Sequence, residues 1–102
     1  MELSGKVAIL TGASRGLGLH FADALARKGV DVALAARSEQ ELKETEDRIR
    51  RFGVRAISVP TDVGKLRDLE HLVDRTTQEL GPPDVLVNNA CIERYANFHE
   101  VD

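Results

Sequence analysis

Short apolar segments alternate strictly with amphipathic ones along the chain, and this alternation constrains the fold more than any other feature. The apolar segments are predicted β-strands, at residues 6–10, 32–36, 55–59 and 84–88. An almost continuous apolar run of this length is typical of a strand that is buried on both faces of a parallel sheet. The sequence therefore predicts a three-layer, doubly wound α/β unit, βαβαβαβ, with right-handed crossovers and the strand order 3-2-1-4.

Helices are predicted between these strands from signals at their ends. The first spans about residues 17–28 and the third about residues 65–80, and a glycine follows each of them. The second begins at Ser38, where Glu41 completes a capping box. The side chains expected to face the sheet are Phe21, Ala22, Leu25, Ala26, Leu42, Ile49, Phe52, Leu66, Leu69, Leu72, Val73, Thr76 and Leu80.

Charged side chains of the second predicted helix are spaced so that an acid precedes a base by four positions. The pairs are Glu44 and Arg48, Glu46 and Arg50, and Asp47 and Arg51. Such pairs stabilise an exposed helix by about 0.2–0.5 kcal/mol each. We interpret this charge run as a solvated helix face rather than as a binding patch.

Composition narrows the class of protein. The 102 residues make one domain at most, and the net charge of −3 gives no general reason to expect nucleic acid or a membrane as partner. No apolar run approaches the ~20 residues that span a bilayer, and the first residues do not form a signal peptide. The single cysteine, Cys91, fits a reducing cytoplasm. The histidines share no metal-ligand spacing, so no metal site is predicted.

A glycine-rich turn at residues 11–18 joins the first strand to the first helix. Its glycines, Gly12, Gly16 and Gly18, have the spacing G-x-x-x-G-x-G, which allows a tight turn, close backbone approach to a pyrophosphate and close packing of the helix. The helix start adds free N–H groups and the positive end of a helix dipole. Between a buried strand and a helix, this turn predicts dinucleotide binding.

Polar side chains follow the carboxyl end of every predicted strand. They are Thr11, Arg37, Asp62 and Asn88. In open α/β sheets, ligands bind beyond the carboxyl ends of the strands, where the direction of winding reverses. These four residues are therefore expected to border the ligand crevice.

Three motifs together resemble the short-chain dehydrogenase/reductase family. They are Thr11-Gly12-Ala13-Ser14-Arg15-Gly16-Leu17-Gly18 in the first turn, Asp62-Val63 after the third strand, and Asn88-Asn89-Ala90 at the fourth. The resemblance extends over essentially the whole chain. It implies a Rossmann-type fold and an oxidoreductase that transfers hydride between a nicotinamide and a carbonyl or alcohol.

The resemblance also implies roles for individual residues. Ser14, Arg15 and Leu17 would line the phosphates, whereas Asp62 would accept a hydrogen bond from the adenine amino group and Val63 would lie against the ring. Asn88 would tie the fourth strand to its neighbour, and Ala90 would lie near the nicotinamide ribose. Asp62 could instead serve only as a turn or helix-capping carboxylate, and Asn88 only as a strand-end residue. The full predicted set is Gly12, Ser14, Arg15, Gly16, Leu17, Gly18, Arg37, Ser38, Asp62, Val63, Asn88, Asn89 and Ala90.

The end of the second strand bears on the choice of cofactor. Rossmann units that bind NAD usually carry an acid there, which accepts hydrogen bonds from the ribose hydroxyls. This chain has Ala36, Arg37 and Ser38 instead, and Arg15 can reach the same place from the turn. A guanidinium can pair bidentately with a 2′-phosphate, so the sequence predicts NADP rather than NAD. The alternative is that either arginine is merely solvated.

Catalytic residues of the family are not found in these 102 residues. The only tyrosine is Tyr95, and no lysine follows Lys65, so no Tyr-x-x-x-Lys pair exists. Loss of a general acid commonly costs about 10²–10⁴ in rate. We expect residues 1–102 to be the N-terminal, cofactor-binding part of a Rossmann domain without its catalytic half, inactive alone.

Two other functions stay open at this stage. One is a non-catalytic nucleotide-binding module, and the other is an interaction element whose fourth strand would leave an apolar edge exposed and self-associate. Cys91 departs from the family, which has glycine after the Asn-Asn-Ala motif.

Overall fold

A four-stranded parallel sheet organises the molecule. The computed structural model describes residues 2–14 and 16–89. In chain order the elements are β1 (Val7–Thr11), α1 (Leu17–Arg27), β2 (Asp31–Ala36), α2 (Glu39–Arg50), β3 (Ala56–Pro60), α3 (Leu66–Glu79) and β4 (Val85–Asn88). The strand order is β3-β2-β1-β4, which confirms the predicted order and the predicted α/β class.

The register of the sheet brings the carboxyl ends of the strands to one edge. Thr11 of β1 pairs with Ala35 of β2 on one side and with Asn88 of β4 on the other. Ala36 pairs with Pro60, the last residue of β3. Proline is acceptable there because β3 pairs only with β2 among the described strands, so one side of it makes no ladder hydrogen bonds. The residues that follow these ends therefore meet at one rim.

Helices pack on both faces of the sheet. On one face, α1 and α2 bury Ala22, Ala26, Leu42 and Ile49 against alternate residues of β1 and β2. On the other face, α3 contributes Leu72 to a smaller cluster with the remaining residues of β1, β2 and β3. Both faces of β1 are buried, as the apolar pattern predicted. No helix among residues 2–14 and 16–89 is long and apolar enough to cross a membrane.

The prediction of which α3 residues face the sheet is partly wrong. Leu72, Thr76 and Leu80 are buried, but Leu66 is 71% exposed and Val73 is also exposed. The described residues therefore leave one flank of the apolar stripe of α3 uncovered. Phe52, also predicted to be buried, is exposed, and the Arg27 guanidinium lies 5.5 Å from the centre of its ring.

The charged face of α2 is only partly solvated. Arg50 pairs with Glu46 at 3.0 Å as the spacing predicted, yet Glu46 itself is buried and accepts a 2.7 Å hydrogen bond from Ser58 of β3. Arg48 pairs with Asp23 of α1 through two hydrogen bonds of 3.0 and 2.6 Å, and not with Glu44. The carboxylate of Glu46 therefore fixes α2 on the sheet, which corrects the interpretation of this face as purely solvated.

Candidate functional site

The glycine-rich turn leaves the carboxyl end of β1 and leads directly into α1. Gly16 adopts φ 61° and ψ −133° just before the helix, a conformation that glycine adopts far more readily than other residues. Gly18, in the first turn of α1, is packed so closely that an added Cβ would lie 1.9 Å from the carbonyl oxygen of Gly12. The backbone of the turn and the helix therefore touch at a point where no side chain fits.

Neighbouring strands hold this turn in place. The Ala13 N–H donates to the Ala35 carbonyl of β2 at 3.2 Å, and the Asn89 side-chain amide donates to the Gly12 carbonyl at 3.1 Å. Thr11 Oγ1 donates to the Asn88 side-chain oxygen at 3.1 Å. Asn88 thus ties β4 to β1, as the resemblance implied. The Oδ1 atom of Asn89 is buried and makes no hydrogen bond within the described part of the chain.

The N-terminus of α1 is electrostatically unlike that of α2. The residue before α1 is Gly16, which has no side chain, and the first turn contains no acidic residue. By contrast, Ser38 Oγ accepts a 3.3 Å hydrogen bond from the Glu41 N–H, and the first turn of α2 is acidic. The hydrogen bond from the Glu41 N–H to Ser38 is one half of the predicted capping box. The positive end of the α1 dipole is therefore not compensated by an acid, whereas that of α2 is. Leu17 lies exposed at this end of α1.

Arg37 and Asp62 meet where β2 and β3 end. An Arg37 guanidinium nitrogen lies 3.5 Å from Asp62 Oδ1, and the Arg37 side chain is 75% exposed. Asp62 Oδ1 also accepts a 2.9 Å hydrogen bond from the backbone N–H of Gly64. That N–H, together with the positive charge of Arg37, lowers the pKa of Asp62, so this carboxylate is ionised at neutral pH. The contact with Gly64 shows that Asp62 also has the turn role considered as its alternative.

A concave region lies between α3 and β4. It has a volume of about 480 Å³ and brings Thr11, Val63 and Asn88 together with apolar side chains of α3 and β4. It extends to Asp84 at the other end of β4, so most of it is an uncovered apolar face rather than part of the rim.

Two predicted site residues, Arg15 and Ala90, lie outside the described residues. Within residues 2–14 and 16–89, no group of three or more His, Cys, Asp or Glu side chains is arranged to hold a metal.

Comparison with known families identifies the chain. The sequence model of the short chain dehydrogenase family matches residues 6–102, nearly the whole sequence. The chain belongs to the short-chain dehydrogenase/reductase family. This membership confirms the resemblance that the three motifs indicated.

Relatives of known sequence or structure cover the chain well but are much longer. The ketoacyl reductase HetN of Nostoc sp. strain PCC 7120 is 43% identical over 96 residues, which are 94% of this chain and 33% of HetN. The L-sorbose reductase of Gluconobacter frateurii, solved with NADPH and L-sorbose, matches with a TM-score of 0.79 and 35% identity over 84% of this chain and 34% of the reductase. An NAD+-bound xylitol dehydrogenase matches with a TM-score of 0.80 and 32% identity over 84% of this chain and 33% of that protein. The chain thus spans about a third of the length of these relatives.

Besides the hydrogen bond from Asn89 to Gly12, two contacts of this short-chain dehydrogenase/reductase site were not predicted from the sequence. One is the ion pair between Arg37 and Asp62, and the other is a hydrogen bond of 3.2 Å from Thr45 Oγ1 of α2 to the carbonyl of Ala13. The predicted inner face of α2 contained only apolar residues, so the threonine was overlooked. Its position three residues after Leu42 and four before Ile49 would have indicated that it faces the sheet.

Proposed function

We propose that the chain forms the NADP(H)-binding part of an oxidoreductase that transfers hydride between the nicotinamide and a carbonyl or alcohol. The observation that carries the cofactor choice is Arg37, an exposed cation at the carboxyl end of β2, where NAD-binding units usually have an acid. Relatives support dinucleotide binding in general, since the L-sorbose reductase holds NADPH and the xylitol dehydrogenase holds NAD+.

Residues of the described rim fit a dinucleotide. Gly18 lets the start of α1 pack directly against the Gly12 carbonyl, and the backbone N–H groups of this helix start would donate to the pyrophosphate. The buried Oδ1 of Asn89, beside the turn, has acceptor capacity that the described residues do not use. Gly12, Gly16, Gly18, Ser14, Arg15 and Leu17 would hold the pyrophosphate in this proposal. Asn88, Asn89 and Ala90 would lie toward the nicotinamide ribose.

Charged groups at the other side of the rim would hold the adenosine. Arg37 and Ser38 would bind the 2′-phosphate, and Asp62 and Val63 would bind the adenine. The ionised carboxylate of Asp62 can accept a hydrogen bond from the exocyclic amine, and it orients Arg37 by their 3.5 Å contact. A bound NADP(H) would supply the hydride chemistry, and these residues would bind and orient it. A cytoplasmic location is part of the proposal and rests on the single cysteine.

Replacing Arg37 by Asp is expected to weaken NADP+ binding by about 10- to 150-fold, the equivalent of the 1.5–3 kcal/mol that a hydrogen bond to a charged group contributes. NAD+ binding should change little or improve, because an acid at this position can accept hydrogen bonds from the ribose hydroxyls. Calorimetric titration of the variant and the wild type with both dinucleotides measures the difference.

Arg51→Asp is the matched control for the Arg37 variant. It makes the same change of charge at the opposite end of α2, far from the carboxyl ends of the strands. Its affinities for NADP+ and NAD+ should equal those of the wild type. Equal losses of both dinucleotides in the Arg37 variant would show that Arg37 does not contact the 2′-phosphate.

A further inference from the structure

We propose that Thr45 is a positioning residue for the cofactor, because its hydroxyl fixes the glycine-rich turn relative to the 2′-phosphate side of the site. The inference rests on the proposed NADP(H) function and goes beyond it. Thr45 lies in the middle of α2, is 1% exposed, and has no route to contact a bound dinucleotide itself. Its effect would pass through the backbone of Ala13.

The hydrogen bond from Thr45 to the turn competes with one inside its own helix. Oγ1 lies 3.2 Å from the Ala13 carbonyl and 3.5 Å from the Glu41 carbonyl, and the hydroxyl has a single proton. The shorter, fully buried contact is therefore the main one. The N–H of the same Ala13 donates to Ala35 of β2. Both backbone polar groups of Ala13 are thus bonded to the β2–α2 unit.

This unit also carries the residues proposed for the 2′-phosphate. Arg37 and Ser38 connect β2 to α2, and Ser38 caps the helix on which Thr45 lies. The distance between the pyrophosphate turn and Arg37 is consequently held by two contacts of Ala13, one to β2 and one to α2. A ligand that must contact both places benefits from this preorganisation, whereas a ligand that contacts only Arg37 does not.

Thr76 of α3 provides a matched comparison. It is also a fully buried threonine in a helix, but its hydroxyl donates only to the Leu72 carbonyl four residues earlier, at 2.7 Å. That bond is the ordinary local arrangement for a threonine in a helix. Replacing either threonine by valine removes a buried hydroxyl and keeps the shape of the side chain. Only the Thr45 variant also leaves the Ala13 carbonyl without its donor.

The test compares Thr45→Val, Thr45→Ser and Thr76→Val in the full-length protein. Calorimetry measures affinity for NADP+, which has a pyrophosphate, and for adenosine 2′-monophosphate, which has none. Hydrogen exchange measures opening of the turn at residues 12–18. We expect Thr45→Val to bind NADP+ about tenfold more weakly, adenosine 2′-monophosphate within about twofold of the wild type, and the turn amides to exchange faster.

Thr45→Ser retains the hydroxyl and should restore NADP+ affinity, and Thr76→Val should leave it unchanged. Thr45→Ala, which removes the hydroxyl without placing a methyl group against the Ala13 carbonyl, should match Thr45→Val. This inference alone would be overturned if Thr45→Val bound NADP+ as tightly as the wild type does. It would also be overturned if Thr76→Val lost as much NADP+ affinity as Thr45→Val. A wild type that does not bind NADP+ would overturn it together with the proposed function.

Discussion

Gly18→Ala should strongly weaken NADP(H) binding and destabilise the fold, even though alanine is the better helix former. In the first turn of α1, alanine would gain about 1 kcal/mol of helix propensity over glycine. The added Cβ, however, would lie 1.9 Å from Gly12 O, 2.9 Å from Gly12 C and 3.0 Å from Ala13 Cα. All three are backbone atoms, so no side chain can rotate away. The helix and the turn must separate.

This separation would affect both stability and binding. Overpacking in a well-packed region costs about 1–3 kcal/mol, and a contact this short lies at the upper end, so the net loss of unfolding free energy should be about 2 kcal/mol. Binding should fall by about 100-fold or more, because the proposed hydrogen bonds of the turn to a charged pyrophosphate, each worth about 1.5–3 kcal/mol, depend on this geometry. Chemical denaturation and calorimetric titration with NADP+ measure the two effects.

Gly53→Ala is the control for a general effect of replacing glycine. Gly53 has φ +88°, and an added Cβ there meets no atom within 4 Å. That variant should lose about 1–2 kcal/mol through backbone strain and keep the NADP+ affinity of the wild type. If Gly18→Ala bound NADP+ as tightly as Gly53→Ala does, the close contact between α1 and the turn would not matter for the cofactor.

Strands and helices were predictable because their signals are local. Each apolar run became a strand within about one residue of its predicted bounds, and Ser38 caps α2 by accepting a hydrogen bond from the Glu41 N–H, one half of the predicted capping box. The small shifts have a tertiary cause. β1 extends to Thr11 because that residue pairs with both β2 and β4, which its own neighbours in sequence do not reveal.

Burial on the helices was less predictable, because periodicity gives the width of an apolar stripe but not what covers it. Leu66 and Val73 lie on the stripe of α3 and are nevertheless exposed, since the described residues do not cover them. Glu46 illustrates the reverse case. Its spacing to Arg50 suggested a solvated pair, but Ser58 of β3 offers a buried hydrogen bond that a helical pattern cannot show.

Contacts across the candidate site depend on the register of the sheet. Arg37 and Asp62 are 25 residues apart, Thr45 and Ala13 are 32 apart, and Asn89 and Gly12 are 77 apart. The parallel order of the sheet predicted that these residues would meet at one rim, and ligand binding at that rim stays a prediction. The order could not predict which side chains bond to one another there, because each pairing requires the distances between strands and helices.

The 102-residue chain by itself is expected to be marginally stable and to self-associate at micromolar concentration. Among the described strands, β4 pairs only with β1, and Leu86 in it is 65% exposed. The apolar groove between α3 and β4 adjoins this edge. An unpaired strand edge with apolar side chains is a template for pairing with another chain. Apolar surface that stays exposed also forfeits about 25 cal/mol per Å² that would oppose the entropy cost of folding.

Leu86→Lys tests whether this edge drives the association. A charge on an edge strand opposes pairing with a second edge, so analytical ultracentrifugation should show a marked shift toward monomer. Leu66→Lys is the matched control, because Leu66 is as exposed but lies on α3 rather than in a strand, and this variant should associate nearly as the wild type does. A monomeric wild-type chain that unfolds cooperatively with a free energy well above about 5 kcal/mol, the low end for natural domains, would contradict the expectation. In that case the exposed face of α3 and β4 would not be limiting for stability.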